Sequence, residues 1–208
     1  MNAGSKNLRR KVAREAASLI YFGTEKEYKQ AKLKAAETLG THFLPTNLEV
    51  AIELDKIAEE NEGAARKERL IKMRQEALKT MNILKAYNPV LVGSVWRGTI
   101  HRESDVDIIV YHDETADILK VLENNNFNIL HTEWVAVTKR GRKKTSLHIY
   151  AESREKMKFE IVIRSQEEAD KIEKCEIYGD NITGLRIHEL EKLIQENPLK
   201  RFVPFKDT

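Results

Sequence analysis

Apolar residues recur through the first ninety or so positions at intervals of three and four, the spacing that keeps side chains on one face of an α-helix. Leu8, Val12, Ala16 and Leu19 form a first stripe stopped by Gly23, and Tyr28, Ala31, Ala35 and Leu39 form a second. A third helix opens at Pro45-Thr46, turns Leu48, Ala51, Leu54, Ile57 and Ala58 inward and ends near Asn61-Glu62-Gly63. A fourth runs from about Ala64 to Tyr87 on Leu70, Met73, Ala77, Met81 and Leu84.

The period then shortens to two. Pro89 to Val92 reads as a short buried strand, and Asp105 to Tyr111 as a β-branched strand. Phe127 to Leu130, Trp134 to Thr138 and Ser146 to Tyr150 are extended, the last two joined by a hairpin on Gly141, and the strand of Lys158 to Ile163 closes the sheet. Asp113-Glu114 open a helix that buries Ile118, Val121 and Leu122 and ends in the Asn124 to Asn126 run. Ser165 to Lys174 and Thr183 to Asn197 read as helical, and Pro198 and Pro204 mark an extended tail. The pattern predicts an α+β chain with an N-terminal helical region, 1–62, ahead of a mixed domain, 63–208. Alternation places Trp134 in the core, and Trp96 packs a short helix.

Charge adds a limit. Charged residues make up 33% of the chain, but the formal net charge is only +3, so the overall field is not that of a dedicated nucleic-acid binder. The basic run Lys139 to Lys144 reads as a solvated hairpin tip. A single cysteine, Cys175, excludes an internal disulfide and a cysteine-paired zinc cluster. Met1 to Arg14 lack a secretory pattern and no run approaches the length of a membrane span, so a cytoplasmic protein without a membrane partner is expected. His42, His101, His112, His131, His148 and His188 are scattered without the spacing of a helical metal pair and read as structural.

The candidate chemistry lies in Leu91 to Tyr111. Gly93-Ser94 follow a strand and precede a helix start, where backbone N–H groups and the Ser94 hydroxyl can face an anion while Gly93 and Gly98 permit close backbone approach. Arg97 and Arg102 add positive charge. Asp105 and Asp107, two apart at the start of a strand, share a face, and two buried like charges there call for a cation between them. A hard divalent ion such as Mg²⁺ suits carboxylates together with substrate phosphate.

Gly93-Ser94, Gly98 and Ser104-Asp105-Val106-Asp107 together resemble the signature of the DNA polymerase β nucleotidyltransferase superfamily, particularly its small prokaryotic members. The resemblance implies that superfamily's core fold from about Glu62 onward and a third carboxylate on a later strand. Glu160 is the candidate, in place of the family's usual Asp, with Glu152 as the fallback. It further implies two Mg²⁺ ions, with Mn²⁺ able to substitute, held by Asp105, Asp107 and Glu160, and a nucleoside triphosphate, ATP first, held by Gly93, Ser94, Gly98 and Ser104; Arg97 joins these nucleotide-binding residues for its charge and not from the family motif. The reaction implied is attack of an acceptor hydroxyl on the α-phosphorus with release of pyrophosphate, the acceptor being a protein, a small molecule or RNA. The alternative is a non-catalytic nucleotide- or RNA-binding module that keeps the fold.

Overall fold

The computed structural model describes residues 3–139 and 142–204, so the tip of the predicted basic hairpin at Arg140-Gly141 lies outside the described residues. The N-terminal part consists of α1 (Ala3–Tyr21), α2 (Tyr28–Thr38) and the first half of α3 (Asn47–Ile83). Val12, Ala16, Ile20, Ala31, Ala35, Val50, Leu54 and Ile57 form its core. The alanines bring the helix axes close while the branched residues fill the space between them. α3 begins with a reciprocal cap: the Glu49 N–H donates to the Thr46 hydroxyl at 3.2 Å, and the Thr46 N–H donates to the Glu49 carboxylate at 2.6 Å.

The two helices expected on either side of Gly63 run on as α3, broken at Gly63 itself, whose φ of 49° and ψ of −122° are non-helical. Ion pairs bracket the break, from Arg66 to Asp55 and Glu59 and from Arg69 to Glu62. Beyond it, Leu70, Met73, Ala77 and Met81 enter a second core with the sheet.

That sheet contains β1 (Val90–Val92), β2 (Val106–Tyr111), β3 (Asn128–Lys139), β4 (Arg142–Glu152) and β5 (Lys158–Arg164), in the order β1-β2-β5-β4-β3. The short helix α4 (Gly93–Arg97) follows β1, and α5 (Thr115–Asn124) follows β2. β2 and β5 are parallel, and the other pairs are antiparallel. Val106, Ile108 and Val110 of β2, Phe159, Ile161 and Ile163 of β5, and Leu147, Ile149 and Ala151 of β4 point into one core, with Ile118 and Leu122 of α5 and Leu190 and Leu193 of α6 (Ile187–Glu196). Alternation therefore sends Asp107, Glu160 and His148 to the opposite face.

Five expectations are corrected. Glu160's strand does not close the sheet; it lies at its centre, because the β3–β4 hairpin pairs outward and leaves β5 between β2 and β4. The two segments expected before the hairpin are one strand, β3, with an irregularity between Ile129 and His131. Trp134 is 64% exposed: it sits opposite Leu147 on the helix-facing side of an edge strand, where the helix layer does not reach. Ser165 to Lys174 is not a helix but a single 3₁₀ turn, Gln166–Glu168, leading to β6 (Glu173–Lys174), which pairs with β7 (Asn181–Ile182). Basic residues of the main sheet draw this segment down, with Lys144 2.6 Å from Glu168 and Arg164 3.0 Å from Glu173. α6 also starts later than expected, because Leu185 is engaged in backbone hydrogen bonds with Leu91 in both directions, each 2.9 Å.

Candidate active site

The register of the sheet assembles the acids. Asp107 and Glu160 are direct partners on parallel strands, and Val92, the residue before Gly93, is the antiparallel partner of Asp107. Asp105 stands two residues before Asp107, at the mouth of the same strand. One ligand oxygen from each of Asp105, Asp107 and Glu160 falls within a mutual 4.8 Å. Burial first, and then the charge of Glu160, raises the pKa of Asp105 above its ordinary value. Burial together with the charges of Asp105 and Glu160 pushes Asp107 well above it, although the Ser94 N–H donates to its carboxylate. Three crowded acids whose charged forms oppose one another fit a hard divalent cation with oxygen ligands. Glu152, the fallback, pairs instead with Lys156 at 3.0 Å.

Gly93 explains itself here. Its φ is 69°, and a Cβ built on it would lie 1.8 Å from Asp107 Oδ2, so the backbone at this turn touches the acid directly. Asp107, Glu160 and Gly93-Ser94 line a cavity of about 680 Å³. Lys171 and Arg186 belong to the same cavity, as do Tyr28, Ala51 and Leu54 from the N-terminal helices.

A family model, the nucleotidyltransferase domain, matches residues 70–188, more than half of the chain. The chain belongs to the nucleotidyltransferase domain family. No curated protein matches it. A nucleotidyltransferase implies a nucleoside triphosphate substrate and, as a rule, a divalent metal, for which the acidic cluster is the candidate site.

Several residues grouped with the phosphate by their sequence position are engaged elsewhere in this nucleotidyltransferase. Arg97 is buried and donates to both oxygens of Asp180, at 2.8 and 3.1 Å, and to the Phe202 carbonyl at 2.9 Å, between the rings of Trp96 and Tyr178. It lines the cavity, but its charge is matched by Asp180. Gly98, with φ of 74°, ends α4 and faces Arg201 and Arg74. The Ser104 hydroxyl accepts from the His101 N–H at 2.9 Å, and the Ser104 N–H donates to the His101 carbonyl at 2.8 Å, so Ser104 shapes the turn that delivers Asp105. Arg102 lies over Tyr21 and Phe22 of the helical region.

Other residues at the site escaped the sequence reading. His148 Nδ1 lies 2.6 Å from Glu160 Oε1, and its Nε2 lies 2.9 Å from Ser146 Oγ. The Tyr150 hydroxyl also bonds to Glu160, and burial, with the Glu160 charge adding to it, pushes the phenol up to about 12. The signal was available: Ser146, His148 and Tyr150 alternate with apolar Leu147, Ile149 and Ala151 along one strand. Lys171 and Arg186 carried no comparable pattern.

Proposed function

We propose that this nucleotidyltransferase transfers a nucleoside monophosphate from a nucleoside triphosphate, ATP being the first candidate, to an acceptor hydroxyl and releases pyrophosphate. The observation that carries this reading is the convergence of Asp105, Asp107 and Glu160, the last two lining a cavity that also carries Lys171 and Arg186. The acidic cluster suits metal ligation, and positive charge within the cavity suits a triphosphate.

Asp105, Asp107 and Glu160 would hold two Mg²⁺ ions, for which Mn²⁺ substitutes. When bound, these ions supply charge neutralisation at the reacting phosphoryl group and acidify the attacking hydroxyl. Glu160 receives the proton of that hydroxyl as the new oxygen–phosphorus bond forms and the bond between the α-phosphorus and its bridging oxygen breaks. Ser94 donates its hydroxyl to the departing pyrophosphate, and Gly93 leaves room for it. Lys171 and Arg186 offset the charge that accumulates there. Tyr28, Ala51 and Leu54 lie outside the matched family region and face the acceptor, so the N-terminal helices take part in selecting it. The chain divides near Gly63 into this acceptor-facing helical part and the catalytic part. Cavity dimensions admit a small molecule or a single projecting side chain or nucleotide end.

The test is incubation of the purified protein with each α-labelled nucleoside triphosphate, Mg²⁺ and cell extract, with Asp105→Asn/Asp107→Asn in parallel. Metal-dependent transfer of label that disappears in the double variant, a loss of at least about 1,000-fold, supports the reading and names the acceptor class. Nucleotide binding without transfer to any fraction would favour a non-catalytic module.

A further inference from the structure

Glu160 poses a geometric problem that Asp107 does not. A glutamate has one more rotatable bond than an aspartate, so its carboxylate sweeps a larger volume unless something holds it. Asp107 is held directly by the backbone, through the Ser94 N–H and the close approach of Gly93. Among the described residues no backbone N–H forms such a seat for Glu160. Its restraints come from the neighbouring strand: Tyr150 is its register partner on β4, and His148 stands two residues before Tyr150 on the same face.

We propose that Ser146, His148 and Tyr150 form a positioning clamp that fixes Glu160 for metal ligation, with His148 as the principal member. The proposal rests on the three-carboxylate reading of the site and deepens it. A carboxylate offers only lone pairs, so His148 Nδ1 carries the hydrogen of the 2.6 Å contact with Oε1. In the neutral ring Nε2 is then the acceptor, and the Ser146 hydroxyl donates to it across 2.9 Å, which fixes both the tautomer and the plane of the ring. Tyr150 donates to the same carboxylate from the adjacent position. It is itself held by His131 of β3, stacked on it at 4.2 Å between ring centroids with 12° between the planes. The chain of contacts runs from the edge strand inward, and each member is a residue of regular strand rather than of loop. With Oε1 held by the clamp, the remaining carboxylate oxygen is the one left to turn toward Asp105 and Asp107.

His148 is a positioning residue on this account, since it touches neither substrate nor metal. Partners that orient a ligand typically change metal affinity about 10- to 100-fold when removed. The experiment is a calorimetric titration of the nucleotide-free full chain with Mn²⁺, comparing wild type with His148→Ala, His148→Asn and Tyr150→Phe, each checked for an unchanged far-ultraviolet spectrum and melting temperature. Asparagine can place an amide N–H where Nδ1–H stood. His148→Ala is expected to weaken Mn²⁺ binding about 10- to 100-fold, with His148→Asn restoring most of the loss and Tyr150→Phe giving a smaller one. Wild-type affinity in His148→Ala overturns the proposal. So does an equal loss in His148→Ala and His148→Asn, which would assign the effect to packing instead of to the donated hydrogen. If wild type itself takes up no Mn²⁺ and Asp105→Asn/Asp107→Asn behaves identically, the reading of the metal site fails, and the clamp with it.

Discussion

Arg74, on α3, has no exposed side-chain surface and donates to four backbone carbonyls: Val95 at 3.1 Å, Trp96 at 2.9 Å, Pro198 at 2.6 Å and Lys200 at 3.0 Å. Burial lowers its pKa to about 10, so it remains charged at neutral pH, surrounded by the partial negative charge of oxygens. Asp105, Asp107 and Glu160 are arranged in the opposite sense. They crowd one another, and burial together with their mutual repulsion raises the pKa of the first two. One enclosed charge is solvated by the chain and ties α4 to the C-terminal segment. The other set is left for something outside the chain to neutralise. Charge that serves the fold is satisfied from within, whereas charge that serves a ligand is held at a cost in stability that binding offsets.

The sharpest way to break this contrast is Arg74→Met. Removing the guanidinium leaves the carbonyls of Val95 and Trp96 in the core without a donor, and urea unfolding is expected to show a loss of roughly 3 kcal/mol. A loss near zero would mean that Arg74 is not the chain's own solvent for that charge. Divalent cations provide the counterpart for the acids. At about a hundredfold excess over its dissociation constant, Mg²⁺ or Mn²⁺ should stabilise the wild type by about 2.7 kcal/mol. Asp105→Asn/Asp107→Asn should lose that gain, read as a melting temperature that no longer responds to metal. In chelator, Asp107→Asn alone should stabilise the chain by about 1 kcal/mol, since it removes a like charge from a crowded site. Destabilisation would show that the acid also serves the fold.

The pH dependence follows from the same charges. Asp105 and Asp107 have folded pKa values raised above the ordinary 3.8, so the folded chain keeps protons that the unfolded chain has released. In chelator their contribution favours folding at pH values below the ordinary carboxylate range and is lost as the pH rises through the raised folded values. The slope is at most about 1.4 kcal/mol per pH unit for each proton. Asp107→Asn should flatten it, and saturating Mg²⁺ should do the same to the wild type, as followed by denaturant midpoints across the range.

Much of this was legible in the sequence. Most of the helical stripe residues are buried in α1 to α3, although Leu39 is 37% exposed, and the segments that carry Asp107 and Glu160 read as strands. What escaped depends on long-range pairing. His148 looks like one scattered histidine until β4 is known to lie beside β5, twelve residues away along the chain. Arg97 sits among residues that suggest phosphate, yet its partner Asp180 is eighty-three residues further on. Trp134 obeys its strand's alternation, but alternation says which side a residue faces and not whether anything covers that side. The segment from Ser165 to Lys174 has helical composition, and its ion pairs to Lys144 and Arg164 draw it into a different course.

Gly93 carries a consequence in the space of possible sequences. Its backbone touches the Asp107 carboxylate so closely that any side chain would claim the position of an oxygen, and its φ of 69° adds a penalty for any L residue placed there. A mutational walk away from this chain therefore finds a locked pair of coordinates, one hydrogen atom wide on one side and one acid long on the other. The alphabet at position 93 holds a single letter for as long as position 107 spells an acid.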